Sequence, residues 1–159
     1  MAKQNKEYVY VDCYQCDENG KSSPWKRKHL DDVPKWQHEE AKDFNCFATV
    51  QKYANEKKTE GEDFLAPLYF DLDYSENPAV AQEEAIKLVE FFTGELDIQE
   101  QDLHIYFSGS KGFHILVDER ALGVEPRKDL QRVYKHIAGY LRYRLGAVSY
   151  THLRAHETG

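Results

Sequence analysis

Two aspartates separated by one residue follow a short apolar run in the middle of the chain. The run Leu68–Phe70 is followed by Asp71, Leu72 and Asp73. Residues i and i+2 of a β-strand project from the same side, so both carboxylates would lie together at the end of a buried strand. Neighbouring carboxylates repel each other unless a cation lies between them, and Mg²⁺ prefers such oxygen ligands. The pair therefore predicts a divalent-metal site, although a strand ending in a solvated acidic turn would give the same pattern.

A second group of polar and small residues follows about 37 residues later. Its glycines allow backbone N–H groups to approach an anion closely, and its hydroxyls and its lysine suit a phosphate. The histidine at its end would begin the next strand and point into the same cleft. A plain hairpin turn, a solvated lysine and a hydrogen-bonded strand histidine would explain the same residues. The group consists of Ser108, Gly109, Ser110, Lys111, Gly112, Phe113 and His114.

Together, the two motifs resemble those of the archaeo-eukaryotic primase superfamily. Its catalytic subunits carry an acidic pair of the form hhhDhD, where h is a hydrophobic residue. A loop of the type S-G-x-(R/K)-G-h-H follows, where x is any residue. Here Leu68–Asp73 and Ser108–His114 have these forms. The resemblance covers roughly residues 44–146 and is nearest to the primase-polymerases of bacterial mobile elements and phages.

This resemblance implies a site, a substrate and a reaction. Asp71 and Asp73 would bind the catalytic Mg²⁺ or Mn²⁺, with His114 as a third catalytic residue. The residues holding the NTP or dNTP would be Ser108, Gly109, Ser110, Lys111, Gly112 and His114. The reaction would be metal-dependent transfer of a nucleotide to a 3′-hydroxyl on a single-stranded DNA template.

The primase superfamily completes its metal site with a third acidic motif on a later strand. No counterpart follows Leu145 in this sequence. We therefore expect the chain to be a fragment that binds metal weakly and polymerises little or not at all. A helicase domain or subunit would be a further partner, lost with the C-terminus.

Apolar periodicity and turn residues predict the elements that position these motifs. From residue 65 onward they indicate a strand at 65–73, a helix at 79–92, a hairpin at 103–118 and a helix at 126–145. This order is that of an α+β fold with an RRM-like or ferredoxin-like split βαβ core that lacks its last strand. Before it, the sequence predicts strands at 7–12 and 46–53, with a partly helical stretch at 24–44 between them.

Three regions follow from these elements. Residues 1–60 form a small mixed N-terminal unit, and residues 61–146 form the partial catalytic core. Residues 147–159 resemble an in-frame translation of a transposase-based sequencing adapter. We therefore leave that last segment out of the interpretation of fold and function, as is done for expression scars.

Charge is unevenly distributed along the chain, whose net charge is -7. Residues 1–60 are neutral overall, residues 61–100 carry a net charge of -10, and residues 101–159 carry +3. The predicted helix at 126–145 is basic and could lie along a template backbone, although a solvated basic face explains it equally well. The candidate nucleic-acid contacts are Arg127, Lys128, Arg132 and Lys135.

Other features exclude several classes of protein. Cys13, Cys16 and Cys46 are too few for a disulfide scaffold, and we expect no zinc site because their spacing does not supply the four ligands that zinc needs. No segment approaches the roughly 20 apolar residues of a membrane span, and the N-terminus lacks an apolar signal region. We expect a cytoplasmic protein without a membrane partner.

Two further functions use part of the same pattern. A DxD-dependent glycosyltransferase would use the aspartates but leave the Ser108–His114 loop unexplained. A non-catalytic RRM-like nucleic-acid-binding module would need exposed aromatics on its central strands, for which Tyr106 and Phe107 are candidates. Its paired carboxylates would, however, repel RNA.

Overall fold

The protein divides into two compact units. The computed structural model describes residues 6–42, 45–73, 76–107, 112–146 and 157–158, the last two by their backbone. The first unit comprises Met1–Ala66, Pro126–Lys128 and Ala155–Gly159, and the second comprises Pro67–Glu125 and Asp129–Arg154. Both contain antiparallel sheet, so the chain is α+β as the sequence predicts.

The first unit is built around an antiparallel sheet whose longest strand is β1 (Tyr10–Gln15). A small core of Val11, Cys13, Trp36 and Ala41 lies against it. Between Leu30 and Glu40 the chain forms short 3₁₀, α-helical (α1, Val33–Lys35) and π-helical turns. The other strands are β2 (Lys26–His29), β3 (Cys46–Thr49), β4 (Lys52–Tyr53), β5 (Phe64–Leu65) and the terminal pair β9 (Glu157–Thr158).

The second unit carries a three-stranded antiparallel sheet. Its strands are β6 (Leu68–Asp73), β7 (Leu103–Phe107) and β8 (Gly112–Val117), in the spatial order β6-β8-β7. Strand β8 therefore lies between the strand that carries the aspartates and the first strand of the hairpin. Two helices complete the unit, α2 (Pro78–Glu90) and α3 (Leu130–Leu145).

The sheet of the second unit has one apolar and one polar face. Leu68, Phe70 and Leu72 alternate along β6 and are almost completely buried. Helix α2 packs on this apolar side, where the rings of Phe70 and Phe92 lie 5.9 Å apart. The alternation therefore places the aspartates of β6 on the side of the sheet opposite α2.

Several element boundaries differ from those predicted, for identifiable reasons. The single strand expected at 65–73 is interrupted at Pro67, which has no N–H to donate to a sheet. The last helix begins at Leu130 rather than 126, because Arg127 exchanges two backbone hydrogen bonds with Phe64. The first strand begins at Tyr10, three residues later than expected, and Lys26–His29 is a strand within the stretch predicted as partly helical.

Candidate functional site

Asp71 and His114 lie directly opposite each other on neighbouring strands. Asp71 on β6 is the register partner of His114 on β8, and Asp73 is the partner of Gly112. His114 Nε2 lies 3.4 Å from Asp71 Oδ1. Two motifs that are about 37 residues apart in the sequence therefore meet in one sheet, as predicted from their combined pattern.

The two carboxylates lie on the same face and become more exposed along the strand. Tyr69, two residues before Asp71, is buried, the side chain of Asp71 is 22% exposed, and Asp73 is exposed. The side chain of His114 is 34% exposed. The polar face thus opens to solvent towards Asp73, where a ligand has access to both carboxylates.

Two tyrosines flank His114, one from each neighbouring strand. The rings of Tyr69 and His114 lie 5.4 Å apart, and Tyr106 on β7 is the register partner of His114 on its other side. The sequence predicts Tyr106 only as a candidate aromatic of an RNA-binding sheet and predicts no separate role for Tyr69. The period-two alternation of β6 and β7 is the signal that would have placed both beside His114.

The loop that joins β7 to β8 holds most of the predicted nucleotide-binding residues. Of these, Gly112 and His114 belong to β8 and are described above. Gly112 is buried, and a Cβ at this position would collide with the main chain of Leu72. The predictions for Ser108, Gly109, Ser110 and Lys111 fall outside the described residues.

The four predicted nucleic-acid contacts are not all on one element. Arg127 and Lys128 belong to the first unit, where Arg127 pairs with Phe64 through its backbone. Arg132 and Lys135 lie on α3 in the second unit, and both are exposed. The structure therefore places only Arg132 and Lys135 on the helix that the sequence assigned to all four.

The cysteines of the first unit lie in different surroundings. Cys13 is fully buried in the core, and burial raises the pKa of its thiol to about 11, with a further contribution from Asp12. Cys16 Sγ lies 3.6 Å from the hydroxyl of Ser22. Within the described ranges, no three His, Cys, Asp or Glu side chains cluster in a way that could hold a metal ion.

Among the described residues, no helix is long and apolar enough to cross a bilayer.

Comparison with known proteins identifies the family to which this site belongs. The family model for the DNA primase small subunit matches residues 70–156, a range that begins within β6 and includes Asp71, Asp73 and His114. This range also enters the adapter-like segment, so the adapter interpretation stays a prediction. The chain belongs to the DNA primase small-subunit family.

Individual relatives share this similarity over part of their length. The chain is 36% identical over 95 residues to the DNA primase small subunit of Thermoplasma volcanium, an alignment covering 50% of this chain and 27% of the relative. Its identity to the small subunit of Methanocorpusculum labreanum is 36% over 76 residues, covering 41% of this chain and 20% of the relative. A third, from Pyrobaculum islandicum, is 40% identical over 60 residues, covering 36% and 19%.

The matched part therefore spans about a quarter or less of each relative. All three relatives are named as DNA primase small subunits, and the expected origin of this chain in a mobile element or phage stays a prediction.

Proposed function

We propose that this chain is a fragment of the catalytic subunit of a DNA primase or primase-polymerase. The polar face of the β6-β8-β7 sheet would be its nucleotidyl-transfer site. The observation that carries this proposal is the 3.4 Å contact between Asp71 and His114 on adjacent strands, with Asp73 on the same face. It joins the acidic motif and the end of the glycine-rich loop in one place, inside the range matched by the primase family.

The order of the elements supports the same proposal. Strand, helix, strand, strand and helix follow one another along the second unit, and the sheet order is β6-β8-β7. A ferredoxin-like or RRM-like sheet has this arrangement, with a fourth strand beside the first. We therefore propose an RRM-like core in which that strand would add the third acidic residue next to β6.

Asp71 and Asp73 fit a divalent cation by the chemistry of their donor atoms. Both offer carboxylate oxygens from one face, and Mg²⁺ or Mn²⁺ is bound by one or two such groups together with substrate phosphates. When bound, such an ion stabilises the attacking and leaving oxygens of an in-line displacement at phosphorus. With only these two carboxylates, the fragment would bind the ion weakly and have little or no polymerase activity.

His114 and the preceding loop would hold the triphosphate. Asp71 lies beside the imidazole and would orient it, so that a ring N–H of His114 could donate a hydrogen bond to a phosphate oxygen. Lys111 would add a fixed positive charge, and Gly109 would let backbone N–H groups approach the anion. The pyrophosphate would then leave from a pocket of hydrogen-bond donors, with His114 able to supply a proton to it.

The remaining predicted partners complete the proposal. Single-stranded DNA would be the template, with Arg127, Lys128, Arg132 and Lys135 as candidate contacts, and a helicase domain or subunit would act beside the parent protein. A cytoplasmic location would suit these substrates.

The competing functions explain the geometry less well. In the glycosyltransferase alternative, the contact between Asp71 and His114 has no role. In the RRM-like binding module, exposed aromatics would lie on the central strand, yet Tyr106 and Phe107 lie on β7 and, being adjacent, point to opposite faces. The central strand β8 instead presents His114.

Titration calorimetry of the chain with GTP or dGTP in the presence of Mn²⁺ tests the proposal. We expect metal-dependent binding that is at least tenfold weaker in Asp71→Asn/Asp73→Asn, because the two ligands lose their charge. The matched control is Glu83→Gln/Glu90→Gln, which removes two exposed carboxylates from α2. Equal binding by both double variants, with far-ultraviolet circular dichroism unchanged, would refute the assignment, and stronger binding of a UDP-sugar would favour the glycosyltransferase.

A further inference from the structure

Helix α3 has a buried apolar inner face and an exposed outer face that carries aromatic and basic side chains. Its buried side chains are Leu130, Tyr134, Ala138 and Leu141, which recur at the spacing of one helix face. At 100° per residue, Arg132, His136, Gly139 and Tyr143 lie on the opposite side, with Lys135 and Tyr140 at its margins. We name these six residues the outer stripe of α3, and all six are exposed.

The outer stripe combines two exposed tyrosine rings with positive charge. Tyr143 is 86% exposed and Tyr140 is 55% exposed, and Tyr143 is the most exposed large hydrophobic side chain of the described residues. The helix contains four Lys or Arg and no Asp or Glu, although the net charge of the whole chain is -7. The positive charge and the exposed rings of this helix make it complementary to an anionic ligand that carries flat rings of its own.

Gly139 adds a close-approach position to the stripe. A glycine within a helix lowers its stability relative to alanine, because the unfolded chain has more freedom to lose. No atom lies within 4 Å of a Cβ built at Gly139, so internal packing gives no reason for a glycine there. A glycine at this exposed position instead lets a ligand approach the backbone of the helix closely.

We propose that the outer stripe of α3 binds single-stranded nucleic acid, with Tyr140 and Tyr143 stacking on bases and Arg132 and Lys135 contacting phosphates. Aromatic stacking combined with a positively charged track is how proteins bind single strands without reading their sequence. From Arg132 to Tyr143 the stripe is about 16 Å long, enough for about five phosphates at the spacing of a stacked strand. The proposal deepens the proposed function by naming a template contact, and it rests on that function for the strand's role as template.

The composition of the stripe distinguishes this ligand from a protein or a membrane. The aliphatic side chains of Val133 and Ile137 on α3 are half-buried beside the inner face, so the outer stripe offers no aliphatic anchor to a protein groove. A membrane-surface helix needs a broad exposed apolar face. The side chains of the outer stripe are aromatic rings and cations, apart from Gly139, and this combination matches the bases and phosphates of a single strand.

Fluorescence anisotropy with a labelled oligothymidylate tests this proposal on the full chain. We expect Tyr140→Ala/Tyr143→Ala to weaken binding about tenfold or more, whereas Tyr140→Phe/Tyr143→Phe keeps both rings and should bind like the unmodified protein. Arg132→Gln/Lys135→Gln should reduce the slope of log affinity against log salt by about 1.4, since two phosphate contacts are lost. The proposal would be overturned if the alanine variant bound DNA as tightly as the unmodified protein, or if the phenylalanine variant were weakened equally. It would also be overturned if the alanine variant kept DNA binding and lost self-association of the protein instead.

The catalytic site provides an independent readout. Asp71→Asn/Asp73→Asn should bind the oligothymidylate normally while losing metal-dependent nucleotide binding. Tyr140→Ala/Tyr143→Ala should show the reverse, with weakened oligothymidylate binding and unchanged nucleotide binding. If the aspartate variant kept nucleotide binding, the proposed function would fail while the result for the stripe would stand, so the two failures are distinguishable.

Discussion

Gly112 lies against the main chain of Leu72 so closely that no side chain fits between them. A Cβ on Gly112 would overlap the carbonyl oxygen of Leu72 and lie 2.8 Å from its carbonyl carbon. Gly112 is also the register partner of Asp73, and it begins the strand that carries His114. This contact therefore fixes the distance between the strand of the acidic pair and the strand of the histidine.

Gly112→Ala should destabilise the second unit by about 1 to 3 kcal/mol, because the added methyl forces the two backbones apart. Urea denaturation followed by far-ultraviolet circular dichroism, which reports on α2 and α3, measures the loss. Gly94→Ala is the control, since a Cβ there meets nothing within 4 Å. Equal stability of the two variants would contradict the close approach of β6 and β8.

His114→Ala should weaken Mn²⁺-dependent GTP binding about tenfold or more, because a hydrogen bond to a charged phosphate contributes roughly 1.5 to 3 kcal/mol. His104→Ala is the matched control, since His104 is exposed on β7 and pairs with Leu116 rather than with Asp71. Calorimetry at constant Mn²⁺ measures both. If His104→Ala weakened binding as much as His114→Ala, the effect would come from general charge and not from the contact with Asp71.

The site was predictable from the sequence because its two parts each follow a local rule. The alternation of Leu68, Phe70 and Leu72 fixes which face of β6 carries Asp71 and Asp73. The glycine-rich turn then predicts a hairpin, which the structure has in β7 and β8. That Asp71 lies opposite His114 was not predictable, since pairing between distant strands has no local sequence signal.

The first unit was less predictable because its elements depend on contacts between residues that are distant in the sequence. Lys26–His29 reads as a charged segment, yet it is a strand because Arg27 reaches buried acidic partners from other parts of the chain. The start of α3 was placed too early because the pairing of Arg127 with Phe64 involves residues more than 60 positions apart. In both places, tertiary contacts override the local preference.

Arg27→Met should destabilise the first unit by about 3 to 5 kcal/mol, because it leaves two buried carboxylates without their cation. Arg27 Nε lies 2.9 Å from Asp12 Oδ1 and Nη1 lies 2.7 Å from Glu62 Oε1, with all three side chains at most 10% exposed. The guanidinium also lies 3.9 Å from the ring centre of Tyr53.

Tryptophan fluorescence during urea unfolding measures this change, since both tryptophans, Trp25 and Trp36, belong to the first unit. Lys26→Met is the control, because its ion pair with Glu40 is half exposed and its loss should cost at most about 0.5 kcal/mol. A loss for Arg27→Met as small as that control would show that the buried network adds no stability.

The stability of the first unit should fall as the pH rises from about 9 to about 12. Burial raises the pKa of Cys13 from 9.0 to about 11 and that of Tyr53 from 10.0 to about 12, with Asp12 contributing to both. The unfolded chain therefore releases these protons at lower pH than the folded protein, so unfolding is favoured increasingly through this range. Below about pH 8 both groups are largely protonated in either state, and their contribution is constant.

Urea unfolding at a series of pH values, followed by tryptophan fluorescence, measures this loss. Cys13→Ala should flatten the lower part of the decline and Tyr53→Phe the upper part, since each removes one ionisable group while keeping the backbone and, for Tyr53, the ring. Cys16→Ala, which removes the thiol beside Ser22, is the control and should leave the profile unchanged. A decline of the same slope in Cys13→Ala/Tyr53→Phe would assign the alkaline sensitivity to other groups.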